Sequence, residues 1–200
     1  MDTGVMLDHD WFPRPLPANV VVGDRSWIYS TFAFVHYAAT HPRAVCIGKD
    51  SGIYNGTFFD LGPNAVIEIG SFCALVGAII RTNGRVAIGD YSFIAHEVVI
   101  ADDAYALPPP PNAGRHLPRS ADGELTQSSP AEVPRQPGAD SRPAPIILGE
   151  NCWVGMGAVL LAGTDLGEGC VVGAAAVVDF PAPPYSIIAG NPARIVGTSR

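Results

Sequence analysis

The sequence predicts an all-β chain wound as a parallel β-helix of about six 18-residue coils. Three observations carry that prediction. Apolar residues open successive hexads at a period of six, the fifth position of each hexad in the clearest stretch is small, and a glycine follows the first opener of each three-hexad block. A period of six suits neither an amphipathic helix nor the two-residue alternation of an ordinary strand. A triangular coil accounts for it: each hexad is a short strand and a corner, opener and fifth residue point inward, and glycine relieves the crowded corner. Coils stacked at the spacing of paired strands, about 4.8 Å, would make a solenoid on the order of 30 Å long.

The register is cleanest over 148–183, which divides into LGENCW, VGMGAV, LLAGTD, LGEGCV, VGAAAV and VDFPAP. Its fifth positions are Cys152, Ala158, Thr164, Cys170, Ala176 and Ala182. The same register fits 22–39 and 88–105, and fits 47–64 and 69–86 with lapses. Of the 18 openers, 17 are apolar and Arg81 is the exception; the corner glycines are Gly23, Gly48, Gly70, Gly89, Gly149 and Gly167. Outside the register, residues 1–21 carry Trp11, Phe12 and three prolines and read as an arm or cap over the first coil. The β-helix is expected over 22–183, with a small insertion at 40–46 and a large one at 106–147. The large insertion has no periodicity and ten prolines. A segment of that length without secondary structure is usually functional or disordered, and here it is expected to cover a site. Pro183 and Pro184 stop the last coil, leaving 184–200 as a tail along the helix surface.

Composition narrows the function classes. A net charge of −7 with 16% charged residues argues against general nucleic-acid affinity. No apolar run reaches membrane-spanning length and no signal peptide opens the chain, so the expectation is a soluble, cytoplasmic protein without membrane partners. Cys46, Cys73, Cys152 and Cys170 lack CxxC spacing, so neither a zinc site nor a disulfide framework is indicated.

LGENCWVGMGAVLLAGTDLGEGCVVGAAAVV (148–178) followed by PPYSIIAGNPARIVG (183–197) resembles the left-handed β-helix acyltransferases of the hexapeptide-repeat superfamily. The resemblance covers about 160 of the 200 residues. The left-handed coil is implied by it alone, since crossovers between parallel strands are generally right-handed. It further implies a homotrimer with active sites between subunits, an acetyl-CoA or other acyl-CoA co-substrate, and no metal. The acceptor would be an amine or hydroxyl of a small molecule, such as a sugar or a secondary metabolite.

Acyl transfer needs a base for the acceptor, a donor to the tetrahedral oxyanion, and a groove for the thioester. The histidines are His9, His36, His41, His96 and His116. His96 is the candidate base: it stands at the outward third position of its hexad in IAHEVVI, with Glu97 next to it and Asp102 and Asp103 one hexad on. HEVVI also resembles the His-Glu segment of sugar-amine N-acetyltransferases of the superfamily, where Glu supports the base. The commoner sugar and antibiotic acetyltransferases have their catalytic His where this chain has Tyr105, and an Asn where it has Gly77. Tyr105, Asp102 and His116 are therefore candidate acceptor contacts. In the resembled enzymes pantetheine runs past small residues of the last coils, which assigns Gly155, Gly157, Ala158, Gly173, Ala174 and Ala175 to the donor groove. Trp153 would wall that groove, and Arg194 in GNPAR would meet the nucleotide end. A lysine frequent in the family near the sixth coil is replaced by Asp179. Two other readings stay open. One is a non-catalytic or repurposed scaffold, since fold does not prove activity. The other is a γ-carbonic-anhydrase-like metal enzyme, whose second histidine would fall on Ala101.

Overall fold

The computed structural model of the chain describes residues 4–102 and 143–200. Over these residues the chain winds around a prism with three faces, each a parallel sheet. The first face stacks Val20–Val22, Val45–Ile47, Val66–Ile69, Arg85–Ile88, Ile146–Leu148, Asp165–Leu166 and Pro181–Ala182. The second stacks Trp27–Ile28, Gly52–Ile53, Ala74–Leu75, Phe93–Ile94, Trp153–Val154, Val171–Val172 and Ser186–Gly190. The third stacks Phe58–Leu61, Ile79–Thr82, Val99–Ala101, Val159–Leu161 and Val177–Val178.

The core is the axis of the prism, and the hexads define it. All six openers of 148–183 are buried, and so are all six small fifth residues. Large and small side chains alternate because opener and fifth residue share one narrow triangular cross-section. The fifth residues before the second face form a hydrogen-bonded spine of Ser26, Ser51, Cys73, Ser92, Cys152, Cys170 and Ser186. The Ser51 hydroxyl donates to the Gly70 carbonyl (2.9 Å) and accepts from the Cys73 N–H (3.0 Å). Cys152 and Cys170 send their thiols to the carbonyls of Gly167 and Pro183. Burial raises the Cys73 and Cys170 thiols above the usual range and pushes Cys152 up to about 11, so these cysteines are packing groups.

The corner glycines follow from close coil-to-coil approach. A Cβ at Gly48 would stand 2.5 Å from the carbonyl carbon of Gly70, and one at Gly23 2.6 Å from that of Gly48. Two residues further on, Arg25, Asp50, Phe72, Tyr91 and Asn151 all have left-handed φ near 60° to complete the bend.

The structure departs from the hexads at several points. In the third block the inward residue is Ile80, fully buried between Phe59 and Ile100, and Arg81 points out to Asp60 at 3.6 Å. The preceding corner turns at Gly77 (φ 71°), one residue shorter than its neighbours, so the register slips by one. The first coil has no strand on the third face; Thr31–Phe34 form a 3-10 turn capped by Ser30. The ladder begins at Val20, and the chain re-enters it at Ile146, before the 106–147 insertion ends in the hexad count. At the other end Ser186–Gly190 still pairs in parallel with Val171–Val172, and only Ala193–Thr198 turns back, antiparallel to it. The arm is pinned by Asp10, whose carboxylate accepts from Thr31 N–H and Oγ1 (both 2.6 Å), Ser30 Oγ (2.7 Å) and Phe12 N–H (2.9 Å). Among the described residues no helix is long and apolar enough to cross a membrane.

Candidate functional site

The corner between the second and third faces gathers most of the residues singled out from the sequence. In the fourth coil it is Ala95-His96-Glu97, in the fifth Gly155-Met156-Gly157, in the sixth Gly173-Ala174-Ala175. Backbone bonds fix their registration: Glu97 N–H to Gly77 O (2.9 Å), Gly157 N–H to His96 O (3.0 Å) and Ala175 N–H to Met156 O (2.9 Å). Glu97, Gly157 and Ala175 carry left-handed φ, as the tight corner demands.

His96 is exposed on the ridge of this corner. Its ring lies against the coil above: a Cβ at Gly77 would come within 2.9 Å of His96 Nδ1. Gly77 thus supplies the space the imidazole uses. Glu97 is exposed, and among the described residues no hydrogen bond joins it to His96. Asp102 sits at the opposite end of strand Val99–Ala101, at the next corner. Its carboxylate accepts from the Thr82 hydroxyl, from Gly84 N–H (2.8 Å) and from Asn83 N–H (3.2 Å). It holds the turn of the coil above and is directed away from His96. Asp103, Tyr105, His116 and the insertion from 106 to 142 lie outside the described residues.

The small residues below His96 fall into two kinds. Gly155, Gly157, Gly173, Ala174 and Ala175 lie on the ridge. Ala158 does not: it is fully buried, its N–H is bonded to Gly155 O and its carbonyl to Val99 N–H, so it offers no open backbone to a ligand. It is the small fifth residue of its hexad, which is why it points inward. Gly155 has a specific consequence. A Cβ there would stand 2.7 Å from Ala174 N, covering that N–H. Among the described residues the N–H groups of Met156 and Ala174 donate to no protein acceptor, so both are available to a bound amide or carbonyl. These donors, and the exposed Met156 side chain beside them, were not legible as candidates, because an N–H has no residue code.

Trp153 is 59% exposed on the second face and packs edge-on to Phe93, with centroids 5.7 Å apart. Arg194 is exposed and pairs with Ala189, which continues the line Ala95, Gly155, Gly173 along the same edge. Four ladder steps from His96 place Arg194 on the order of 19 Å down the corner. Among the described residues no three His, Cys, Asp or Glu side chains cluster as a metal site would require.

The chain is similar to known proteins in sequence over part of its length and in fold over most of it. Residues 145–179 match the family described as bacterial transferase hexapeptide (six repeats). Two relatives are named as putative acetyltransferases. One, from Schizosaccharomyces pombe, is 46% identical over 50 residues, covering 25% of this chain and 24% of its own. The other, from Staphylococcus aureus, is 35% identical over 74 residues, 37% of each chain. The chain thus spans little more than a third of these relatives at most. Over 90% of its length it superposes on AntD, an N-acyltransferase from Bacillus cereus in complex with dTDP and 3-hydroxybutyryl-CoA (16% identity, 83% of that chain, TM-score 0.55). It superposes similarly on a hexapeptide transferase family protein from Anaplasma phagocytophilum (20% identity, 90% and 79% covered, TM-score 0.55).

Proposed function

We propose that this chain, a member of the hexapeptide-repeat superfamily of left-handed β-helices, is an acyltransferase that takes its acyl group from coenzyme A. The observation that carries the reading is the single corner on which His96, two unpaired N–H donors and Arg194 stand in line. An extended thioester carrier laid along it would have its acyl end at His96, its amides at Met156 and Ala174, and its phosphates toward Arg194. AntD, a protein of this architecture in complex with an acyl-CoA, supports a coenzyme A thioester as the donor.

In this mechanism the His96 imidazole takes the proton from an acceptor amine or hydroxyl as the nucleophile attacks the thioester carbon. A backbone N–H on the ridge bonds the developing oxyanion. Collapse breaks the carbon–sulfur bond, and the departing thiolate receives the proton back from His96. Glu97 stands next to the base on the ridge as its acidic neighbour in sequence, and Trp153 walls the donor side. Gly155 keeps the Ala174 N–H uncovered; Gly157, Gly173 and Ala175 keep the ridge low. Asp102 and Ala158 leave the set, because both are occupied within the fold. The acyl group is acetyl, and a neighbouring copy in a homotrimer closes the groove.

The test is acetyl-CoA binding followed by thiol release against a panel of amines and alcohols. His96→Ala is expected to lower turnover by about 10²- to 10⁴-fold while leaving coenzyme A binding in place. Turnover near that of the native chain would remove His96 from the base role. Sedimentation should give three times the 20.9 kDa chain mass. The second reading is a scaffold that holds the ligand without turnover, favoured by the lack of a hydrogen-bonded partner for the His96 imidazole among the described residues. Binding without thiol release would select it.

A further inference from the structure

The same corner carries a recess in the first two coils, above His96, that the donor path does not use. Trp11, Tyr29, Phe32, Tyr54, Asn55 and Phe58 line it, around a volume of about 160 Å³. The arm supplies Trp11, whose ring is 5.4 Å from that of Phe32; Phe32 in turn stands edge-on to Phe58 at 5.6 Å. Tyr54 folds its ring over Gly52, where a Cβ would come within 2.4 Å of it. Among the described residues no charged side chain lines the recess. Between it and the imidazole lies Gly77. The point where a Gly77 Cβ would stand is 2.9 Å from His96 Nδ1 and 3.5 Å from Asn55 O, so Gly77 puts no side chain between recess and base.

We propose that this recess is the ring site of the acceptor, and that the acceptor is a monocyclic aryl compound bearing its amine or hydroxyl on a short arm. This deepens the acyltransferase reading and rests on it. The volume suits one six-membered ring, since an apolar cavity of about 150 Å³ accommodates benzene. Aromatic walls meeting at edge-to-face angles favour an aryl ring over an aliphatic one. A lining without cations gives no counter-charge to a phosphate or carboxylate on the ring. Asn55 and the tyrosine hydroxyls can bond one neutral ring substituent, and the arm crosses Gly77 to bring its nucleophile to His96.

The experiment measures binding without coenzyme A, by saturation-transfer NMR and quenching of tryptophan emission. The probes are phenethylamine, tyramine, cyclohexylethylamine and glucosamine. The aryl amines are expected to bind best. Trp11→Ala and Tyr54→Ala should each weaken them by about three- to tenfold, while His96→Ala keeps their binding. Trp11 is on the arm, so its truncation disturbs no ladder. The proposal is overturned if neither aryl amine binds, if both variants bind as the native chain does, or if cyclohexylethylamine or glucosamine binds as tightly. Aryl binding that responds to both variants, with no thiol release from acetyl-CoA, would uphold the ring site and sink the acyltransferase reading instead.

Discussion

Adding one methyl group at Gly48 should destabilise the chain more than any other glycine-to-alanine change named below. Its Cβ would meet only backbone: Gly70 C at 2.5 Å, Gly70 O at 2.6 Å and Ser71 N at 2.6 Å. Ordinary contact begins near 3.4 Å, so the two coils must part by close to an ångström. That parting strains the bond from Gly48 N–H to Ile69 O (2.8 Å). Overpacking of this kind costs about 1–3 kcal/mol, and a weakened buried hydrogen bond adds about 1. The expected total is about 2–4 kcal/mol, a fall in melting temperature of roughly 4–16 °C for a chain of this size. Gly157→Ala tests a different term. Nothing lies within 4 Å of its Cβ, but φ is 68°, so only the left-handed penalty of about 1–2 kcal/mol applies. Gly173→Ala has its nearest neighbour, Ala189 Cβ, at 3.4 Å, and should be close to neutral. Thermal and urea unfolding followed by circular dichroism would rank the three. A Gly48→Ala melt within roughly 2 °C of the native chain, or Gly157→Ala as the worst of the three, would refute the coil-contact argument.

Other outcomes follow from the same geometry. Ser51→Ala strands the buried Cys73 N–H and should cost about 1–3 kcal/mol, whereas Ser51→Cys, the residue other coils use, should cost less; equal losses in urea titrations would contradict the spine. Desolvation acts to raise the Asp10 carboxyl, but the donors from Thr31, Phe12 and Ser30 outweigh it and hold it well below the carboxylate range. A folded pKa below the unfolded one gives stability that is present above about pH 4 and is lost as pH falls further. Trp11 emission should report the arm detaching on acidification, and Asp10→Asn should remove that transition. Cys46, partly exposed, should react with a thiol reagent well before the buried Cys73, Cys152 and Cys170; simultaneous labelling would show that the coils open readily. Gly77→Ala should lower turnover by displacing the His96 ring, with little change in coenzyme A affinity.

Much of this architecture could be read from the sequence because the prism imposes it residue by residue. An opener such as Leu160 and a fifth residue such as Thr164 face the same axis, so one must be large and the other small. Gly48 must be bare because Gly70 lies beneath it. The slip at Arg81 was hidden because a five-residue turn through Gly77 looks like a flawed hexad until the ladder shows Ile80 between Phe59 and Ile100. The alignment of His96 with Gly155, Gly157, Gly173 and Ala175 follows from the 18-residue repeat, so that part of the site was legible. The aromatic recess was not, since Trp11 meets Phe32 and Tyr54 only through folding of the arm. Asp102 looked like a site residue because it is near His96 in sequence, yet three residues of strand carry it to another corner.

The proposed function requires the corner from His96 to Arg194 to serve as the acyl carrier's track. The most direct measurement is a crystal structure of the chain with acetyl-CoA bound. The thioester carbon should lie beside His96, with pantetheine amides on the N–H groups of Met156 and Ala174 and the phosphates toward Arg194. A donor bound away from this corner, or with its thioester at the Arg194 end, would contradict it.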